Sequence, residues 1–222
     1  MVRSIAIKQA AFELGTWLRN GEQALLNFVI PIAVYVALSR TSSTREMDNL
    51  SFSSLMAISA SCFAGLAIST AFDRRYGALK LLGMTPLGKT GFVTARILTA
   101  LLIAAIQFSL IVITAVALRE TVQLSGLLVL ALGLSVTAWT SWALVLAATL
   151  RAEAVLAIAN TFFIIFSVSA FVFIDSASAI VLMLNPLSAA LALAAGNLTG
   201  LISLIVWSVI GFMTARHRFT WV

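Results

Sequence analysis

The sequence predicts an all-α, polytopic membrane protein. Three observations predict it. Of 222 residues, 61% are hydrophobic and 10% are charged, against about 25% charged in an average soluble domain. The mean hydropathy is +1.08. The apolar runs are long and continuous, whereas a spanning barrel needs alternating segments of about ten residues. These features exclude an ordinary soluble globule, a disordered chain and a collagen-like repeat. Residues 1–222 read as one transmembrane domain.

Gaps between charges mark the spans, because about 20 apolar residues cross the hydrocarbon core as a helix. Gln23–Ser39 has 17 residues, Asn49–Phe72 has 24 and Ile97–Leu118 has 22. Thr121–Leu150 has 30, Ala154–Ile174 has 21 and Ser176–Ala215 has 40. The first stretch resembles a signal peptide, but 22 residues precede it and Pro31 interrupts it. It reads as a retained span, with cleavage after Ser39 as the lesser alternative.

The last stretch is long enough for two spans, and charge decides the count. Take six spans with the amino terminus inside. Arg3, Lys8, Arg19, Arg74, Arg75, Lys80, Lys89, Arg96, Arg151, Arg216 and Arg218 then lie inside, and Arg40, Arg45 and Arg119 outside. Eleven basic residues against three is a strong positive-inside bias. Seven spans would weaken it. The formal charge of +6 is thus topological, and no nucleic-acid surface is read from it. With six spans, residues 176–197 form an outer re-entrant hairpin broken at Asn185-Pro186, because proline lacks an N–H and its predecessor avoids helix. Such a break survives at membrane depth only inside protein or beside water. The final span runs about Leu198–Ala215.

Residues 1–22 form an interfacial helix. Ile7, Ala11, Leu14 and Leu18 repeat at helical spacing with Ala10 beside them, and Lys8, Glu13 and Arg19 lie off that stripe. A solvated leader that only carries charge is the alternative. Cys62 has no cysteine to pair with and reads as packing.

Gly83-Met84-Thr85-Pro86-Leu87-Gly88-Lys89-Thr90 satisfies a phosphate-binding loop pattern. That loop works between a strand and a helix of a soluble α/β domain. About 18 residues between two spans leave no room for a sheet, so the match is a decoy. Catalytic patterns are equally absent. The one histidine, His217, lies in the tail, no carboxylate pair lies within a span, and no metal-binding spacing occurs. No ionisable group sits at mid-span, which disfavours an ion-coupled carrier. Gln107 and several Ser and Thr could still line a polar path.

Residues 73–86 carry the functional signal. Asp73 suits a helix start and Gly83 an end. Tyr76, Leu79 and Leu82 at i, i+3, i+6 make one apolar edge, and Arg74, Arg75 and Lys80 surround it. Such a helix fits a groove on a soluble partner, or serves only topology; spacing leaves both open.

This segment resembles the intracellular loop of the type-2 permeases of the ATP-binding-cassette superfamily. Asp73, Arg74, Gly77, Leu79, Leu82, Thr85 and Pro86 match that family's pattern in register, while Ala78 departs from its usual Thr and Asp73 replaces the commoner Glu. The leading helix, the six spans and the outer Asn-Pro hairpin follow the family's layout. The resemblance implies a permease subunit in a bacterial-type plasma (inner) membrane, with both termini cytoplasmic. It implies a coupling helix seated on a separate nucleotide-binding ATPase subunit, which holds ATP and Mg; this chain binds no cofactor. Arg74, Tyr76, Leu79 and Lys80 are the expected contacts, Asp73 and Gly77 shape the helix and Pro86 ends it. A second permease subunit, identical or related, is implied.

Other residues fit a dimer without requiring one. Ser53, Ala57, Ser61, Gly65 and Ser69 form a face of small residues for close helix packing, between subunits or within one. Trp139 and Trp142 suit an interfacial belt, with the border of a path as the alternative. Sparse charge in the spans favours an amphipathic or lipid-like cargo, moved outward by family analogy. Two alternatives remain: an ATP-independent channel or assembly factor, and a haem-handling permease of cytochrome maturation. The absence of histidine from spans and outer loops gives the latter no support.

Overall fold

The computed structural model describes residues 2–19, 21, 25–40, 48–172 and 179–219, the side chains of 2–6, 18, 26 and 179 excepted. Every regular element among them is helical. Helix α1 is Val2–Arg19. A π turn, Leu25–Val29, leads into α2, Ile30–Arg40. Helix α3 is the rod Asn49–Arg75, with a π turn at Ala60–Gly65. The short α4 is Ala78–Gly83, and α5 is Gly88–Ala117. The remaining helices are α6 (Gly126–Thr149), α7 (Ala152–Val172), α8 (Ala179–Leu184), α9 (Pro186–Ala194) and α10 (Leu198–Arg218). Glu22, Gln23, Arg45, Asp175 and the expected hairpin start at Ser176 lie outside the described residues.

Among the described residues, five helices are long and apolar enough to cross a membrane: α3, α5, α6, α7 and α10. The expected first span corresponds to a shorter apolar helix, Asn27–Arg40.

Caps set the helix ends where charge alone misplaces them. Helix α5 begins at Gly88, not at Ile97, because Lys89 and Arg96 interrupt an apolar run without interrupting a helix. At 30 residues it is about 45 Å long, beyond the ~30 Å hydrocarbon core. Helix α6 begins at Gly126, not Thr121, because the Ser125 side chain accepts the Leu128 N–H at 3.0 Å. Asp48 caps α3 and Asn197 caps α10 in the same way.

Helix α6 is the axis of the bundle and packs against α3, α5, α7, α9 and α10. Helices α9 and α10 meet so closely that a Cβ at Gly200 would lie 2.2 Å from the Ala189 carbonyl oxygen. The break at Asn185-Pro186 is present. Asn185 accepts N–H bonds from Leu187 and Ser188, and its Nδ2 donates to the Phe166 carbonyl at 2.8 Å and to Ser169 Oγ at 2.9 Å. Pro186 opens α9 where its missing N–H is harmless.

The structure corrects two expectations. Trp139 is not in an interfacial belt: it is buried mid-helix between Phe63 and Phe166, at ring distances of 5.2 and 5.5 Å. Trp142 is also mid-helix, packed on Trp207, whose carbonyl accepts its indole N–H at 3.1 Å. The small-residue face does not run straight either. The π turn holds an extra residue per turn and rotates the remainder of the helix. Ser53 and Ala57 are therefore buried while Gly65 is exposed, and Ser61 and Ser69 are half-buried.

Candidate functional site

The end of α3, the start of α5, the end of α6, the start of α7 and the end of α10 come together at one end of the bundle. Arg74, Arg75, Lys80, Lys89, Arg96, Arg151, Arg216 and Arg218 belong to these helix ends and their connections. Helix α4 sits here, and its geometry starts with Gly77.

Gly77 has φ +80°, a left-handed conformation that glycine adopts without steric cost. It ends α3 and restarts the helical phase. The i, i+3 relation expected between Tyr76 and Leu79 therefore fails, and the segment has two faces. Leu79 is 1% exposed and packs with Leu87, Phe92, Leu144, Ala215 and Phe219; Leu82 is half-buried against the same cluster. Tyr76, Leu81 and Met84 are 77%, 65% and 78% exposed. Lys80 is exposed beside them.

The expected contacts are thus partly corrected. Leu79 is a core residue, because Gly77 turns it inward, and it has no surface to offer. Arg74 faces inward too, donating to the Ala148 carbonyl at 2.6 Å and to the Leu150 carbonyl. There it meets the unpaired carbonyls and negative dipole end of α6. Asp73 does not start a helix; it lies in the last turns of α3. Pro86 is exposed and lies past the helix end, which falls at Gly83.

Asp73 instead accepts from Arg96 of α5 at 2.8 Å. Arg96 also reaches Glu13 of α1 at 3.5 Å and lies 5.2 Å from the centre of the Phe92 ring. The Arg96 and Glu13 side chains are 12% and 11% exposed, so this pair is shielded from water and bulk salt. The Thr99 hydroxyl lies within hydrogen-bond reach of the Ala10 carbonyl and of Glu13, as well as of the Ala95 carbonyl in its own helix. Arg75 pairs with Glu153 of α7, with side chains 51% and 65% exposed.

Helix α1 packs along α5 through Ala10 and Glu13 and leaves Ile7, Ala11 and Phe12 exposed. Residues 73–96 are thereby fastened to α1, α6 and α7.

Leu81, Met84, Glu13 and Arg96 escape the sequence reading of the site. A repeat counted from Tyr76 hides the first two, and Arg96 reads only as a topological charge. The octapeptide Gly83–Thr90 joins two helices, and no strand precedes it among the described residues. Those residues hold no group of three His, Cys, Asp or Glu able to bind a metal. Compared with protein-family models and with curated proteins, the chain matches none.

Proposed function

We propose that the chain is the transmembrane permease subunit of an ATP-driven exporter of the ATP-binding-cassette type. In this reading α4 and the turn before it receive the work of a separate nucleotide-binding subunit, which carries ATP and Mg. The observation that carries the reading is the exposure of the apolar side chains Tyr76, Leu81 and Met84, with the cations Arg75 and Lys80 also exposed, on a segment whose inward side is fastened to several spans. A partner pressing on that face displaces Asp73, Arg74 and Leu79 as one body. Arg74 passes the push to α6, Arg75 to α7, and Arg96 to α5 and α1.

The finer architecture belongs to the same proposal. Asn27–Arg40 is the first of six spans, the pair α8–α9 re-enters from the outer side, and both termini face the cytoplasm of a plasma membrane. The cation-rich end is the cytoplasmic one, as the positive-inside rule requires. A second permease subunit, identical or related, completes the path. The cargo is amphipathic or lipid-like, in keeping with spans almost free of charge.

The test is biochemical. The purified chain hydrolyses no ATP, and a nucleotide-binding ATPase subunit co-purifies with it from its native membrane. Tyr76→Asp and Met84→Asp abolish that association while yield and melting of the chain persist. Undiminished association in both variants overturns the docking face, and ATP hydrolysis by the chain alone overturns the division of labour.

A further inference from the structure

Helix α2 buries little of its surface against the rest of the chain. Among the described side chains of 25–40, only Pro31 and Tyr35 are buried, and Leu25, Val29 and Ile30 are about half exposed. Most of the Asn49–Ser59 stretch of α3, which α2 packs against, is buried. Pro31 has no N–H and gives nothing to the carbonyl four residues back, that of Asn27. The chain widens there into the π turn Leu25–Val29. From α5, the buried Gln107 donates its Nε2 to the Asn27 carbonyl at 2.8 Å. Its Oε1 accepts from the Ser61 hydroxyl at 3.1 Å, and Ser61 belongs to the other π turn, Ala60–Gly65.

A second bond joins the far part of α2 to the connection just past α5: the Tyr35 hydroxyl donates to the Glu120 carboxylate. Beside it, between α2, α3 and α5, lies a cavity of about 450 Å³ bordered by Tyr35, Asp48, Leu50, Ala115 and Glu120.

We propose that α2 is a strap that swings away from α5, latched shut at one end by Gln107 on the Asn27 carbonyl and at the other by Tyr35 on Glu120. Elements that open locally are those with few buried apolar contacts, and α2 fits that description where α6 does not. The latch is economical to break. When α2 leaves, Gln107 Oε1 keeps the Ser61 hydroxyl and only the Nε2 donor loses its acceptor, so opening costs one buried bond at this end. The cavity supplies the room into which neighbouring side chains settle. The proposal does not depend on the ATP-driven reading, since it concerns only contacts within this chain.

Amide hydrogen exchange of the full chain in lipid nanodiscs tests it, with Gln107→Leu, Tyr35→Phe and the double variant. Each single change should speed exchange in residues 25–40 about fivefold, the equilibrium equivalent of one ordinary buried hydrogen bond. The double should do so about 25-fold if the two ends are independent. Exchange in Gly126–Thr149 should stay at the wild-type rate. Wild-type exchange of 25–40 in either single variant overturns the strap, and so does equal acceleration in Gly126–Thr149, which would mean general loosening. Should Gln107→Leu fail to fold, Tyr35→Phe, which removes one oxygen, decides by the same criterion.

Discussion

Asp73 and Arg96, at the two ends of the loop between the second and third apolar segments, are joined by an ion pair of 2.8 Å. The pair closes the loop into a unit, and Glu13 ties the amino-terminal helix to the same guanidinium. Removing Arg96 strands the shielded Glu13 carboxylate, while Asp73, 42% exposed, stays hydrated. Arg96→Ala should cost about 3 kcal/mol, as for other shielded pairs that lose one partner. Glu153→Ala, at the exposed pair with Arg75, should cost about 0–1 kcal/mol. Thermal melting of the two variants in the same detergent checks the contrast; equal shifts would contradict it.

Leu79 and Tyr76 are three residues apart and should behave oppositely. Leu79→Ala empties a buried site and should destabilise the chain by about 2–5 kcal/mol. Tyr76→Ala, on the surface, should change stability by no more than about 0.5 kcal/mol. Melting and monodisperse yield read both. A stable Leu79→Ala with an unstable Tyr76→Ala would reverse the assignment of the two faces.

Gly200 is needed for space, not for backbone freedom. A methyl group there meets the Ala189 carbonyl at 2.2 Å, so Gly200→Ala should force α9 and α10 apart at a cost of about 1–3 kcal/mol. Gly133→Ala meets nothing within 4 Å and should be neutral or stabilise α6 by up to about 1 kcal/mol. Paired melting curves distinguish them.

Asn185 caps α9 and also reaches α7. Asn185→Ala removes the cap, worth about 1 kcal/mol, together with two side-chain bonds worth about 1 kcal/mol each. Asn197→Ala, on the exposed cap of α10, should cost about 1 kcal/mol alone. A larger melting shift for Asn197→Ala than for Asn185→Ala would refute the interior role of Asn185.

Much of this architecture is legible along the chain because its causes are local. Pro186 cannot continue a helix, and Asn185 before it can cap one; the break falls there. Gly83 ends α4 as its position suggests. The spacing of cations marks which helix ends lie together. The faces of the loop are less legible. Tyr76, Leu79 and Leu82 form a stripe only if one helix runs through Gly77, and the left-handed turn there resets the phase. The small-residue series loses its register at Ala60–Gly65 for a similar reason, since one added residue in a turn rotates everything beyond it. Trp139 reads in the sequence as belt or path border, and its packed position between Phe63 and Phe166 is missed because an indole suits all three settings.

Composition and the steric demands of proline and glycine act within a few residues, so the sequence by itself determined a helical chain with long apolar segments, the break at Asn185-Pro186 and the end where its positive charge gathers. Which side chain meets which was decided only in three dimensions. Gln107 finds a carbonyl 80 positions earlier, Arg96 finds carboxylates on two other helices, and Leu79 turns under the loop while Met84 turns out. Those outcomes depend on the angle at which each helix leaves its turn and on the neighbour already packed there, and no periodicity read along a single stretch of sequence contains that information.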